Sequence, residues 1–300
     1  MELQEDGKIT VQSLIGRSQL PFYLSCLKSL LAFCQERIDL QLLSDGSLSQ
    51  EDKDSIKSEL DGKNVFINDS PENTTRVLDY LQGKPNSQKF RKDSIWGIEF
   101  FDPIFAFPDE PFSFYLDADI LFLRQFSGLF ERNQVKGGAI FLKDTQWDAY
   151  CFRPWQMLTG KKKPQVVKGI TTGLVFWDKS AIDWDYLEWF LGKHHLHQIP
   201  EWIMPTAQAG LAELCESKTV CPRLLPNLYP NAKIYEDTFA LHLLGSYRKK
   251  WMEELDLRDN EHLKNAHPIV PRFEKCETQN VFGFSLKQFR RWINTRVNIW

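Results

Sequence analysis

Short apolar runs recur through the first part of the chain, and each is followed by a stretch with helical spacing. "KITVQSLIG", "IDLQLLSDG" and "KNVFIND" read as strands, because aliphatic residues cluster over a few positions and stop at Gly, Asp or Asn. Between the first two lies "LPFYLSCLKSLLAFCQER", in which Tyr23, Leu27, Leu30, Leu31 and Cys34 fall on one helical face. "SLSQEDKDSIKSEL" then opens a second helix, with Ser49 and Asp52 spaced as a capping box. Residues 72–82 read as a third helix, "QGKPNSQ" as a loop, and "FRKDSIWGIEFFDPIFAF" as one helix ending near Pro103. Parallel neighbours need a crossover that brings the chain back to the same edge, so this alternation predicts a parallel sheet. The expected class is α/β: a Rossmann-like, mostly parallel sheet with helices on both faces. A chain of 300 residues, 42% hydrophobic, can bury such a core.

The second half continues the theme less regularly. "PFSFYLDADILFL", "KGGAIFL" and "TTGLVFWD" read as strands, "SAIDWDYLEWFLGKHH" and "IPEWIMPTAQAGLAELCES" as helices, and "RLLPNLYP" and "TFALHLLG" as short strands. An insertion over 144–168 is polar and aromatic without periodicity, and long ordered loops in compact domains usually serve function. No shift of composition marks a boundary, so residues 1–283 are expected to form one domain. Residues 284–300 form a basic amphipathic helix with Lys287, Arg290, Arg291 and Arg296. Its apolar stripe is Leu286, Phe289, Trp292, Ile293, Val297 and Trp300. The stripe is expected to pack on the domain; the second reading lays it on an anionic membrane surface.

Charge excludes some functions. A net charge of −3 and a pI near 6.1 give no basic field for nucleic acid. The apolar stretches are too short and interrupted to span a bilayer, and "MELQEDGKIT" is too acidic for a secretory leader. Six cysteines without a CxxC pair read as free thiols, with Cys26 and Cys34 in core packing. The expected location is therefore the cytoplasm, with contact at the membrane periphery as the second reading. The many aromatic residues suit sugar stacking, but a large aromatic core explains them first.

One stretch sets a chemical problem. In "FSFYLDADILFLRQF", Asp117 and Asp119 interrupt an apolar run, and carboxylates are rarely buried unless neutralised. They follow "FYL", where a strand should be ending. Residues i and i+2 of an extended segment face the same way, so both carboxylates can converge at the carboxyl edge of the sheet, where such folds bind ligands. A divalent cation with a preference for oxygen, Mg²⁺ or Mn²⁺, suits that pair. The plainer alternative is a capped strand end or a pairing with basic side chains. A strand ending in DxD also resembles the nucleophile of haloacid-dehalogenase-like phosphatases, although more than a hundred residues precede it here.

Four blocks together resemble a known family. These are the opening "SLIG…FYLSCLKSLL…LQLLSDGSLSQED", then "YLDADILFL", then "ITTGLVFWDKS" with "AQAGLAEL", and finally "LHLLGSYRKKW". The chain is similar to GT-A fold nucleotide-sugar glycosyltransferases, close in pattern to glycosyltransferase family 8. The resemblance implies that His242 joins Asp117 and Asp119 as metal ligand for Mn²⁺ or Mg²⁺. It implies that Gly245 lets the backbone approach the donor diphosphate, and that Arg248 binds the leaving diphosphate in place of the family's Lys, beside Lys249 and Lys250. Ile15, Gly16, Asp45, Lys92, Ala118, Thr171, Thr172 and Gly173 become donor-binding candidates. The family's Asn-x-Gly stands here as Thr171-Thr172-Gly173. The family's acidic residue before a Gln beneath the sugar is here Ala207, ahead of Gln208, which with Arg248 is the catalytic candidate. The implied reaction moves a hexose from a UDP-sugar to an acceptor hydroxyl, with retention of configuration. The acceptor is a glycan, a lipid-linked sugar or a small molecule. It would meet the 144–168 insertion and the C-terminal segment. Beside this stand the phosphatase and a non-catalytic UDP-sugar-binding relative.

Overall fold

The computed structural model describes residues 8–60, 64–68, 71–145, 150–151, 165–192, 200–245, 247–248, 267–279 and 281–297. The expected β-α-β-α-β opening is present as β1 (Ile9–Ile15), α1 (Leu20–Phe33), β2 (Ile38–Ser44), α2 (Gln50–Glu59) and β3 (Val65–Asn68). Ser49 and Asp52 form the capping box: the serine hydroxyl accepts from Asp52 N, and the Asp52 carboxylate accepts from Ser49 N at 2.8 Å.

Three further helices follow, α3 (Pro71–Tyr80), α4 (Pro85–Asp93) and α5 (Ile95–Phe105). The expected loop and single long helix need correction here. Pro85 opens α4, because proline at the first helical position lacks only an N–H that would be unpaired anyway. Ser94 then breaks the run. Its backbone is extended, and its hydroxyl accepts from Trp96 N at 3.2 Å, so it caps α5.

The remaining elements are β4 (Phe112–Leu116), β5 (Ile120–Phe122), α6 (Arg132–Val135), β6 (Gly138–Lys143), β7 (Val166–Val167), β8 (Ile170–Asp178), α7 (Trp184–Leu191) and α8 (Pro200–Ala212). They are followed by β9 (Glu216–Val220), β10 (Ala240–His242), β11 (Phe273–Lys275), β12 (Thr278–Gln279) and α9 (Val281–Val297). "RLLPNLYP" is a turn rather than a strand, and the end of the expected helix over "ELCES" feeds β9. The eight-stranded sheet has the order β11-β9-β6-β8-β4-β1-β2-β3. It is mostly parallel, with β8 and β11 running against their neighbours.

Side chains alternate across the sheet, and the two faces have separate cores. Phe114 and Leu116 point to the side covered by α1 and α2, with Leu27, Leu30 and Ile56. Tyr115 points to the other side, with Phe100 and Phe101 of α5, Phe190 of α7 and Ala207 of α8. On that second side a buried ion pair joins two helices: Arg91 of α4 binds Asp102 of α5 through Nε and, at 2.8 Å, through Nη2. Asn73 of α3 donates to the same carboxylate at 3.1 Å.

The C-terminal helix begins at Val281, three residues ahead of the expected 284. Phe284 is buried in the second core, but Phe282, Leu286, Phe289 and Ile293 are exposed. At 3.6 residues per turn those four lie on the side of the helix opposite Phe284, so burying Phe284 turns the stripe outward. Trp292, Val297 and Trp300, also expected in the stripe, have side chains outside the described residues. All six cysteines are free thiols. Among the described residues no helix is long and apolar enough to cross a membrane.

The Arg91–Asp102 pair sets the first prediction. Asp102→Ala leaves a buried guanidinium uncompensated and should cost about 3–5 kcal/mol of stability, read as a lower urea midpoint in equilibrium unfolding. A midpoint within about 0.5 kcal/mol of the parent would mean that the pair contributes nothing net.

Candidate active site

The acidic pair sits where β4 ends. The run expected as one strand splits there into β4 and β5, and Asp117-Ala118-Asp119 forms the turn between them. The turn is closed by Ile120 N donating to Asp117 O at 3.2 Å, and Asp117 N donates to Gly173 O of β8 at 2.8 Å. The two carboxylates converge through this turn and not through strand alternation.

His242 reaches them by register. β5 pairs antiparallel with β10, which sets His242 opposite Ile120, and Leu243 N donates to Asp119 O at 3.0 Å. His242 Nε2 lies 3.2 Å from Asp119 Oδ1 and 3.7 Å from Asp117 Oδ2. One ligand atom from each residue, Asp117, Asp119 and His242, lies within 4.8 Å of the others. The ring orientation is fixed from behind. Asn227 donates its amide to Lys143 O at 3.0 Å, so its carbonyl faces His242 Nδ1 at 2.7 Å. That carbonyl keeps a proton on Nδ1 and turns Nε2 toward the carboxylates. Asn227 was not legible as a site residue, because "RLLPNLYP" gives no sign that it folds behind a histidine.

The electrostatics follow from crowding. Burial pushes the His242 imidazole down, but the Asp119 and Asp117 carboxylates outweigh it and raise it to about 10. Burial lifts Asp117 above the usual carboxylate range. For Asp119 burial acts the same way but is outweighed by His242 and Arg248, which hold it low. Tyr115 donates to Asp117 Oδ1 at 2.7 Å. Arg248 Nη2 binds Asp119 Oδ2 at 2.6 Å; its Nη1 binds Gln19, and its guanidinium lies 4.4 Å from the centroid of Phe22. Asp119 Oδ1 is buried and faces the His242 imidazole. Two carboxylates and an imidazole nitrogen form the mixed O/N donor set that a divalent cation takes, so these residues fit such an ion.

The trio lies in a cavity of about 440 Å³, within the range of small-molecule sites. Of the donor-binding candidates, Ile15, Gly16, Asp45, Ala118 and Gly245 line it, as do Thr171, Thr172 and Gly173. Gly16 is packed so tightly on Asp45 that a Cβ would overlap the carboxylate, and Asp45 Oδ1 accepts from Ser47 N at 2.9 Å in a turn. Gly173 serves the histidine: a Cβ there would stand 2.5 Å from His242 Cε1.

Two candidates lie elsewhere. Lys92 is exposed on α4 and does not line the cavity. Gln208 is buried, and its Oε1 accepts from Trp177 Nε1 at 2.9 Å. Only the first turns of α8 face the cavity, through Glu201, Trp202 and Pro205, so Gln208 lies too deep along the helix. Lys249, Lys250, Trp251 and most of the 144–168 insertion lie outside the described residues.

Gly173→Ala should displace the His242 ring and weaken Mn²⁺ binding at least tenfold by calorimetric titration, with the far-ultraviolet circular dichroism unchanged. Parent-like Mn²⁺ affinity would show that the ring position does not matter to the ion.

No family model matches the sequence, and no curated protein matches it. Solved structures do match. Mouse xyloside xylosyltransferase 1, in its apo form, is similar with a TM-score of 0.54 at 14% identity, over 78% of this chain and 97% of that one. The apo glycosyltransferase GlyE of Streptococcus pneumoniae is similar with a TM-score of 0.50 at 13% identity, over 84% of this chain and 61% of that one. Galactosyltransferase LgtC, in complex with donor and acceptor sugar analogues, gives a TM-score of 0.47 at 11% identity, over 87% of this chain and 98% of that one. The chain has the GT-A fold, which it shares with the xylosyltransferase and GlyE.

Proposed function

We propose that the protein transfers a sugar from a UDP-sugar to an acceptor hydroxyl. The observation that carries this reading is the convergence of Asp117, Asp119 and His242 beside Arg248 on one cavity of a GT-A fold. Asp117, Asp119 and His242 would hold Mn²⁺ or Mg²⁺, and the bound cation would supply positive charge to the diphosphate as it leaves.

The chain's own groups have distinct tasks in this reading. Arg248 brings a guanidinium to the same point and can take charge from the departing UDP. Asn227 orients His242, and Tyr115 orients Asp117. Gly16, Asp45 and Ile15, where β1 and β2 end, would receive the nucleoside, and Gly245 leaves room for backbone near the phosphates. Thr171 and Thr172 offer hydroxyls to the sugar from β8. Gln208, held by Trp177, is given no contact with substrate. With Gln208 withdrawn, no side chain is assigned as nucleophile, which suits same-face transfer with retention, the leaving phosphate taking the acceptor proton. A dehalogenase-like phosphatase is not favoured, since its DxD belongs near the start of its fold and here three strands precede the acidic turn.

Two measurements test the proposal. A screen of UDP-glucose, UDP-galactose, UDP-GlcNAc, UDP-xylose and GDP-sugars with Mn²⁺ should find slow donor hydrolysis for at least one UDP-sugar. Asp119→Ala should lower that rate by about a hundredfold or more while keeping the far-ultraviolet circular dichroism of the parent. Binding of UDP with Mn²⁺ but no turnover of any donor would favour a non-catalytic binding protein. Parent-like hydrolysis in Asp119→Ala would sink the metal assignment.

A further inference from the structure

We propose that Glu99 is a specificity-determining residue of this cavity, taking a hydrogen bond with a hydroxyl of the sugar that the donor carries. The inference rests on the glycosyl-transfer reading above and gives its sugar subsite a residue on α5.

Glu99 is 6% exposed, on the flank of α5 that lines the cavity. The other buried carboxylates among the described residues are each engaged. Asp102 binds Arg91, Asp119 binds Arg248, Asp144 accepts from Tyr229, and Asp178 accepts from Gly137 N and Ser180. Glu99 alone among them has neither a hydrogen bond nor an ion pair. Its oxygens are not sealed from the cavity, so water can satisfy them there and a ligand hydroxyl can replace that water. Glu99 opens into the cavity, so a ligand there can reach it.

Its surroundings say what kind of ligand. Glu99 supplies no oxygen to the Asp117–Asp119–His242 cluster, so it is not a further metal ligand. Burial first, then the Asp117 and Asp119 carboxylates, oppose its negative charge. The charged carboxyl repels a phosphate, and the neutral acid has a single O–H to offer one. A hydroxyl suits both forms, since it donates to a carboxylate and accepts from a carboxylic acid. Trp96, one turn back on α5, and Trp202 of α8 also line the cavity. A cavity that carries an unpartnered carboxyl and two indoles suits a polyol with one hydrophobic face, which describes a pyranose. The nucleoside candidates Gly16 and Asp45 stand where β1 and β2 end, whereas Glu99 lies on α5, which packs against α8.

The test separates the sugar from the nucleotide. Glu99→Gln is nearly isosteric and Glu99→Leu removes the polar group; both are compared with the parent for the unfolding midpoint. Calorimetry with Mn²⁺ measures affinity for UDP and for whichever of UDP-glucose, UDP-galactose, UDP-GlcNAc or UDP-xylose the parent binds best. UDP affinity should stay within about twofold in both variants. Affinity for the UDP-sugar should fall about tenfold or more in Glu99→Leu and less in Glu99→Gln. Donors lacking single hydroxyls should show one position whose loss weakens binding to the parent but not to Glu99→Leu. Equal UDP-sugar affinity in parent and Glu99→Leu overturns the proposal, and so does an equal loss for UDP and UDP-sugar, which would make Glu99 a support of the acidic turn. A parent that binds no UDP with Mn²⁺ overturns the proposal together with the reading it rests on, a result distinct from the first two.

Discussion

Two carboxylates at the end of a buried strand cannot both stay charged without something to neutralise them, and the architecture around β4 answers that demand. The turn at Asp117-Ala118-Asp119 stops the strand, β5 leads away from the sheet, and β10 returns along β5 to bring His242 between the two acids. Arg248 arrives six residues later on the other side of Asp119. Asn227 behind the imidazole and Tyr115 beside Asp117 hold the geometry from outside. The cavity is lined by Asp45, Asp144 and Glu201 besides the acidic pair, so a bare diphosphate would meet repulsion there. In the proposed reading, Arg248 and a divalent ion together make the centre of this acidic cavity hospitable to phosphate.

Much of this was legible in the sequence wherever one segment carried the whole signal. The first three strands and two helices follow from apolar periodicity, and the capping box at Ser49 from two residue types at fixed spacing. The acidic pair announced itself as charge within an apolar run. His242 was reachable only through resemblance, because its partners lie more than a hundred residues away and the pairing of β5 with β10 leaves no local mark.

What could not be read depended on choices between weak local signals or on long-range packing. Pro85 looked like part of a loop but starts α4, and Ser94 looked like a helix-interior residue but caps α5, since both roles use the same residue types. Gln208 was placed at the site by its neighbours in sequence, yet Trp177, thirty-one residues away, decides where its amide points. Glu99 had no signature at all: an acidic residue in "WGIEFF" reads as an exposed helix position until α8 and β4 close over it. The exposed stripe on α9 was legible as a stripe, but its direction was set by a single residue, Phe284, on the opposite side of the helix.

Gly173 and His242 occupy one volume between them. Neither position is free to change by itself while the imidazole stays where it is, because any side chain larger than hydrogen on β8 contests the space of the ring. The reverse does not hold. A protein of this architecture that had given up the histidine would be released from the restriction and could carry alanine or serine at the β8 position without strain. The size of the residue at that one sheet position therefore acts as a record of whether the histidine is kept, and it can be read without knowing anything about the substrate.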